Sequence, residues 1–186
     1  MSVPPPALLG LLWGGSELFL TLARRSKSNA VSKDRNSLSL IWVANLFGVA
    51  VAIYGAYHWS FARLSIPNLV VVGACVCLLG LAFRWYAILH LGRFFTTNVA
   101  LASDHRVIDS GPYRFVRHPS YTGSLIAVLG FGLSFQNWAS LLLVFVPSCA
   151  ATLWRIRIEE QALTEGLGAP YRAYAARTRR LIPLLF

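Results

Sequence analysis

The chain has 186 residues, of which 56% are hydrophobic and 13% charged, with a formal net charge of +10. Several uncharged apolar runs approach or exceed the length needed to cross a hydrocarbon core of about 30 Å, so the composition reads as an integral membrane protein. Lys and Arg flank these runs instead of gathering in one soluble basic domain, which excludes a nucleic-acid-binding module and fits membrane topology.

The amino terminus M-S-V-P-P-P lacks the basic region of a cleaved signal peptide, and residues 7–23 are read as a retained first span. Gly10-x-x-x-Gly14 and Gly15 predict close approach by another helix, which would place this span inside the bundle. Glu17 lies within it, either as a functional residue or as a partner for a neighbouring helix. The linker over residues 24–37 carries Arg24, Arg25, Lys27, Lys33 and Arg35 against Asp34, as expected of a loop kept on the cytoplasmic side. Ser37 is the expected N-cap of a second span that runs to about residue 57 and ends in Tyr54, Tyr57, Trp59 and Phe61, an interfacial aromatic belt. The connection over residues 58–67 holds Arg63 and a solvated His58 and is placed outside. A third span, residues 68–91, returns inward with Arg84 and His90 toward its cytoplasmic end. Cys75, Cys77 and Cys149 sit in apolar runs without metal-site or disulfide spacing, so a packing role is expected and no metal is implied.

Residues 92–117 form a long polar segment with Asn98, Asp104, His105, Arg106 and Asp109, long enough to serve as a lid. It ends in G-P-Y-R-F-V-R-H-P-S-Y-T-G, and Pro119 suits the first turn of a helix, where its missing N–H costs nothing. Residues 119–135 and 138–154 are uncharged, and Gln136-Asn137 is the tip of the resulting hairpin. At about 1.5 Å per residue, His118 and Arg155 both lie roughly 28 Å from that tip, so the two feet meet at one membrane face. Arg155 and Glu159 share a helix face, while Glu160 points about 100° away and is the weaker candidate. Pro147 is a possible kink in the second arm. A surface pair of Arg155 with Glu159, and snorkelling of Arg117 and His118 to the headgroups, are the simpler readings of each foot. Convergence of Arg117, His118, Tyr121, Arg155 and Glu159 at one depth favours a site. Residues 166–186 form a basic tail, expected as a short helix lying near the headgroups.

The expected architecture is all-α: one membrane domain over residues 1–186, with three amino-terminal spans in 1–91 and the cofactor-binding loop, hairpin and tail in 92–186. That makes five transmembrane helices, the amino end outside and the carboxyl end cytoplasmic, with a cytoplasmic pocket. No Gly-x-Gly-x-x-Gly follows a strand, so no Rossmann domain is expected.

The string G-P-Y-R-x-x-R-H-P-S-Y-x-G, followed by R-x-x-x-E-E and G-x-x-Y-x-x-Y, resembles the isoprenylcysteine carboxyl methyltransferase family, specifically over residues 98–174. The resemblance implies S-adenosylmethionine as cofactor, held by His105, Arg106, Val107 and Ile108, by Tyr113, by His118, Pro119, Ser120 and Tyr121, and by Glu159. Asn98 stands where eukaryotic relatives tend to carry Gln, an amide for an amide. Arg155 takes the position that faces the substrate carboxylate. The implied acceptor is a lipophilic, isoprenylcysteine-like carboxylate entering sideways from the bilayer, with membrane lipids as surroundings. Methyl transfer from a sulfonium is an in-line displacement that needs alignment more than a nucleophilic side chain. A carboxylate acceptor, already ionised at neutral pH, needs no base. Three other readings stay open: a phospholipid amine or other small lipophilic acceptor, with Glu159 or Glu160 as base; a sterol-reductase-like site for a nicotinamide cofactor; and a transport or assembly protein whose polar cluster is an ion path.

Overall fold

The computed structural model describes residues 5–23, 35–95 and 107–183. Linker residues 24–34, and Asn98, Asp104, His105 and Arg106 of the expected lid, lie outside the described residues. Six α-helices follow one another: α1 (Pro5–Ala23), α2 (Arg35–His58), α3 (Leu69–Leu91), α4 (Pro119–Leu133), α5 (Trp138–Leu167) and α6 (Ala169–Arg177). The described residues form no β-strand beyond the isolated bridges Arg63↔Asn137 and Val116↔Arg179. α1, α2, α3 and α5 are each long and apolar enough to cross a membrane, while α4 is apolar but has 15 residues.

The hairpin forms where expected, with Pro119 opening α4, although its first arm stops at Leu133 and not at 135. Ser134 Oγ donates to Phe131 O (2.6 Å), and Gln136 takes φ +52°, so the chain turns early. Asn137 then caps α5, its Oδ1 accepting from Ser140 N at 2.9 Å. Its Nδ2 donates to Gly55 O and Trp59 O (3.3 and 3.1 Å), which ties the tip to the end of α2. α5 passes through Pro147 as one continuous helix of 30 residues. Ser37 is not a cap: α2 already starts at Arg35, with no Pro or Gly in between to stop a helix extending upstream.

The most extensive helix contact joins α3 to α4, and glycine makes it possible. A Cβ on Gly80 would lie 2.3 Å from Ala127 N, and one on Gly130 would lie 2.2 Å from Cys77 N. Gly73 and Gly123 complete the seam, each also against backbone of the facing helix. The expected glycine contact on α1 forms only at Gly10, where a Cβ would lie 3.4 Å from the Phe131 ring of α4; Gly14 and Gly15 have nothing within 4 Å of a built Cβ, and Leu11, Leu18, Phe19 and Leu22 are exposed. α1 is an edge helix that buries one stripe, Leu9, Trp13 and Leu20. Cys77 is fully buried, but Cys75 faces outward and Cys149 is half-buried.

α1 packs on α3 and α4, and α2 on α5, with no comparable surface joining α1 to α2 among the described residues. A cavity of about 870 Å³ occupies this side of the bundle, lined by Trp13 and Gly14, by Trp42 and Asn45, by Val128 and Phe131, and at one end by Tyr121, Arg155 and Glu159.

Gly80→Ala or Gly130→Ala drives a methyl group into backbone, and a loss of about 1–3 kcal/mol is expected from overpacking. Gly14→Ala meets open space and should stay within about 0.5 kcal/mol of the parent. Thermal unfolding of the three variants in one detergent checks both values.

Candidate functional site

The two feet of the hairpin meet through one hydroxyl. Tyr121, in the first turn of α4, accepts from Arg155 Nε at 2.7 Å and donates to Glu159 Oε2 at 3.0 Å. Tyr121 of α4 thus bridges Arg155 and Glu159, one turn apart on α5. Arg155 is 3% exposed, whereas the Glu159 side chain keeps 30% of its surface and lines the cavity.

His118 is buried just before α4, and its backbone O receives the N–H groups of Tyr121 and Thr122. Its ring stands between two carboxylates, Nδ1 4.0 Å from Glu159 Oε2 and Nε2 3.4 Å from Glu160 Oε1. Pro119 and Ser120 are buried in the same turn, while Val107 and Ile108 are half-buried and line the cavity.

Glu160 has a larger structural part than its sequence position suggested. It accepts from Arg117 Nε at 2.7 Å and from Arg180 Nε at 2.9 Å, so one carboxylate clamps the loop before α4 to the tail after α6. Arg117 also donates to the backbone O of Ala175 and Thr178, and is anchored instead of snorkelling. The tail is correspondingly not a helix loose among headgroups. Main-chain bonds Arg117 N→Arg179 O (2.7 Å) and His118 N→Arg180 O (3.0 Å) stitch it to the loop, and Tyr171 and Tyr174 are buried. Those two aromatic residues give α6 an apolar side that docks on protein.

Tyr113 lies under this tail, its backbone O accepting from the Tyr174 hydroxyl at 2.7 Å. Its ring stacks on His90, and its own hydroxyl donates to Ala87 O at 3.3 Å. Burial, reinforced by the Glu159 carboxylate, pushes the Tyr113 phenol well above its ordinary pKa, so it stays a neutral donor. Burial raises Tyr171 and Tyr174 in the same direction. Gly111 takes φ +56°, and a Cβ there would lie 2.6 Å from the His90 ring, so this loop passes α3 only with glycine at that position.

On the opposite wall, Arg84 of α3 is 7% exposed, donates Nη1 to Ser120 O (3.1 Å) and pairs through Nη2 with Glu17 Oε2 at 2.7 Å. Glu17 therefore has a helix partner, one of the two readings its position allowed. Arg84 was expected merely near a helix end, yet it lines the cavity. The signal available in the sequence was an opposite charge on another apolar span, which identifies a pair without giving its place. Of the sequence-derived candidates, Tyr113, His118, Ser120, Tyr121, Arg155 and Glu159 line one cavity with Val107 and Ile108, and Pro119 is fully buried in the same turn without lining it; Asn98, His105 and Arg106 are outside the described residues.

A helical membrane protein with an ion-paired polar pocket leading into a cavity between its helices is the class defined by this geometry. The chain belongs to the isoprenylcysteine carboxyl methyltransferase (ICMT) family, whose sequence pattern matches residues 71–165. It is 30% identical over 188 residues to a probable protein-S-isoprenylcysteine O-methyltransferase of Oryza sativa subsp. indica, covering 94% of this chain and 92% of that one. Protein-S-isoprenylcysteine O-methyltransferase B of Arabidopsis thaliana is 31% identical over 130 residues, 69% of this chain and 62% of the relative. The Schizosaccharomyces pombe enzyme is 34% identical over 109 residues, 58% and 46% respectively, so this chain matches under two thirds of both of the latter relatives. A solved structure of a eukaryotic intramembrane Ras methyltransferase, isoprenylcysteine carboxyl methyltransferase, aligns with TM-score 0.61 and 29% identity over 76% of this chain and 51% of that one.

Glu17→Leu leaves the Arg84 guanidinium buried without its carboxylate, and a loss of about 3–5 kcal/mol is expected. The double variant Glu17→Leu, Arg84→Met removes both charges and should recover most of that loss. Thermal unfolding of the single and double variants in detergent reads the difference.

Proposed function

We propose that the protein is an S-adenosylmethionine-dependent methyltransferase that esterifies the carboxylate of an isoprenylcysteine-like lipophilic acceptor. The single observation that carries this reading is the Tyr121 hydroxyl shared between Arg155 and Glu159 at the polar end of a cavity continuing between α1 and α2. One end of that cavity can hold a water-soluble cofactor and the other a hydrocarbon chain. Family membership and the names of the relatives support the same reaction.

The residues present fit the cofactor. A cavity of about 870 Å³ lies in the range of small-molecule sites. Glu159 is a partly exposed carboxylate able to accept from hydroxyl or amino groups, and Val107 and Ile108 offer apolar contact to a flat ring. S-adenosylmethionine, when bound, supplies the electrophilic methyl group. The acceptor needs no base, because a carboxylate is already ionised, and the protein's task is alignment. Arg155, held by Tyr121 through Nε, orients that carboxylate, and Glu159 helps offset the positive charge of the donor at lowered dielectric. Glu160 is committed to Arg117 and Arg180 and takes no part in chemistry.

The same reading sets the topology. α4 is the fifth crossing, shortened because its first turn is taken up in the site. The amino end lies outside, and the pocket faces the cytoplasm, the source of the cofactor.

Arg155→Lys keeps the charge but loses the planar fork, and kcat/KM should fall by about tenfold or more. Wild-type turnover of a prenylcysteine analogue by that variant counts against the role. Glu159→Gln should weaken S-adenosylhomocysteine binding, read by calorimetry on solubilised protein, by about tenfold without changing acceptor choice. The rate should be flat with pH across neutrality for a carboxylate acceptor; a rate rising with pH points instead to an amine and a base.

A further inference from the structure

Below Arg155 the cavity does not become apolar at once. Ser148, Thr152, Arg155 and Glu159 follow one another on the cavity side of α5, all of them lining it. Ser148 meets Asn45 of α2, which is half-buried, lines the same cavity and lies six residues, about 9 Å, inside the apolar stretch Ser39–His58. Ser148 Oγ is within reach of both Asn45 Oδ1 and Val144 O, the latter at 2.7 Å. A hydroxyl has one hydrogen and cannot donate to both. If it donates to Val144, the Asn45 amide turns its Nδ2 to Ser148 and leaves its oxygen over; if it donates to Asn45, the Nδ2 is left over. Among the described residues the amide makes no further hydrogen bond. Either way one polar amide atom remains unmatched at the cavity wall of an otherwise apolar helix.

A hydroxyl satisfies either orientation, since it both donates and accepts. Ser148 is seven residues from Arg155, about 10 Å along the helix axis at 1.5 Å per residue. Beyond this rung the lining is apolar through Val49, Ile53 and Phe131, until Tyr57, Ser134 and Gln136 at the hairpin tip. We infer that Asn45 and Ser148 form an acceptor-specificity subsite that takes a hydroxyl on the acceptor's chain about 10 Å from the carboxylate held by Arg155. This inference rests on the carboxylate-methylation reading and narrows its substrate class from a plain isoprenoid to an oxygenated lipid.

The test uses the full chain in nanodiscs with two acceptors that share the prenylcysteine-type carboxylate head. One has a plain hydrocarbon tail, and the other carries a hydroxyl about 10 Å from the head. Wild type should favour the hydroxylated acceptor by about three- to tenfold in kcat/KM, the range of one net hydrogen bond. Asn45→Leu and Ser148→Ala should each lower that ratio toward one. Equal use of both acceptors by wild type overturns the inference while leaving carboxylate methylation standing. A parallel fall of both rates in the variants, with the ratio kept, also overturns it, because the pair is then only glue between α2 and α5. If Asn45→Leu fails to fold, Ser148→Ala and the wild-type ratio decide. Methylation of neither acceptor ends the reading and the inference together.

Discussion

Where Gly80 meets Gly123, the backbones of α3 and α4 lie against each other: a Cβ on Gly123 would stand 2.5 Å from Arg84 N. No side chain separates the helices there, so the first turn of α4 is positioned directly by α3. Arg84 leaves α3 at that contact and reaches Ser120 O, fixing the turn that carries His118, Ser120 and Tyr121. Because Tyr121 in turn holds Arg155 and Glu159, the geometry of α5's polar face depends on how closely two other helices approach. A larger residue in the seam would move α4 and open this chain of contacts.

Two clusters of paired charges flank the hairpin's polar face. Arg84 and Glu17 form a pair on the wall away from α5, and Arg117, Glu160 and Arg180 form a second cluster at the outer edge. Buried charges survive when paired and hydrogen-bonded, and each cluster also joins segments distant in sequence. The first joins α1 to α3, and the second joins the loop before α4 to α5 and the tail. Between them lie Tyr121, Arg155 and Glu159, at the wall of a cavity large enough for a ligand. The two ion-paired clusters tie segments together, and the middle group lines the cavity.

Local signals in the sequence were sufficient for the hairpin. Pro119 opens a helix because its ring and missing N–H suit the first turn, and Asn137 caps one because its side chain reaches Ser140 N. Helical periodicity alone puts Arg155 and Glu159 on one face and Glu160 on another. What failed was inference from small residues. Gly10, Gly14 and Gly15 look like a packing motif, yet only Gly10 meets another helix, and the glycines that bring backbones together are Gly73 with Gly80 and Gly123 with Gly130, each pair seven apart. A small residue permits close approach without naming the helix that approaches. The docking of the tail was equally hidden, since main-chain bonds from residues 117 and 118 to 179 and 180 have no side-chain signature. Tyr171 and Tyr174, three apart, were the available sign that α6 has an apolar side.

Glu159 and Glu160 illustrate how far a single helical step separates two functions. Both are carboxylates on α5, and His118 stands within 4.0 Å of each. A rotation of about 100° turns Glu160 toward Arg117 and Arg180, where two cations hold it in place. Glu159 meets a neutral hydroxyl instead, and its side chain is about twice as exposed, 30% against 14%. A carboxylate between two guanidinium groups is a poor acceptor for anything else and a poor base. One that shares a phenol with an arginine keeps lone pairs free on the cavity side. The protein thus places one carboxylate between two guanidinium groups and its neighbour along the helix at the cavity wall.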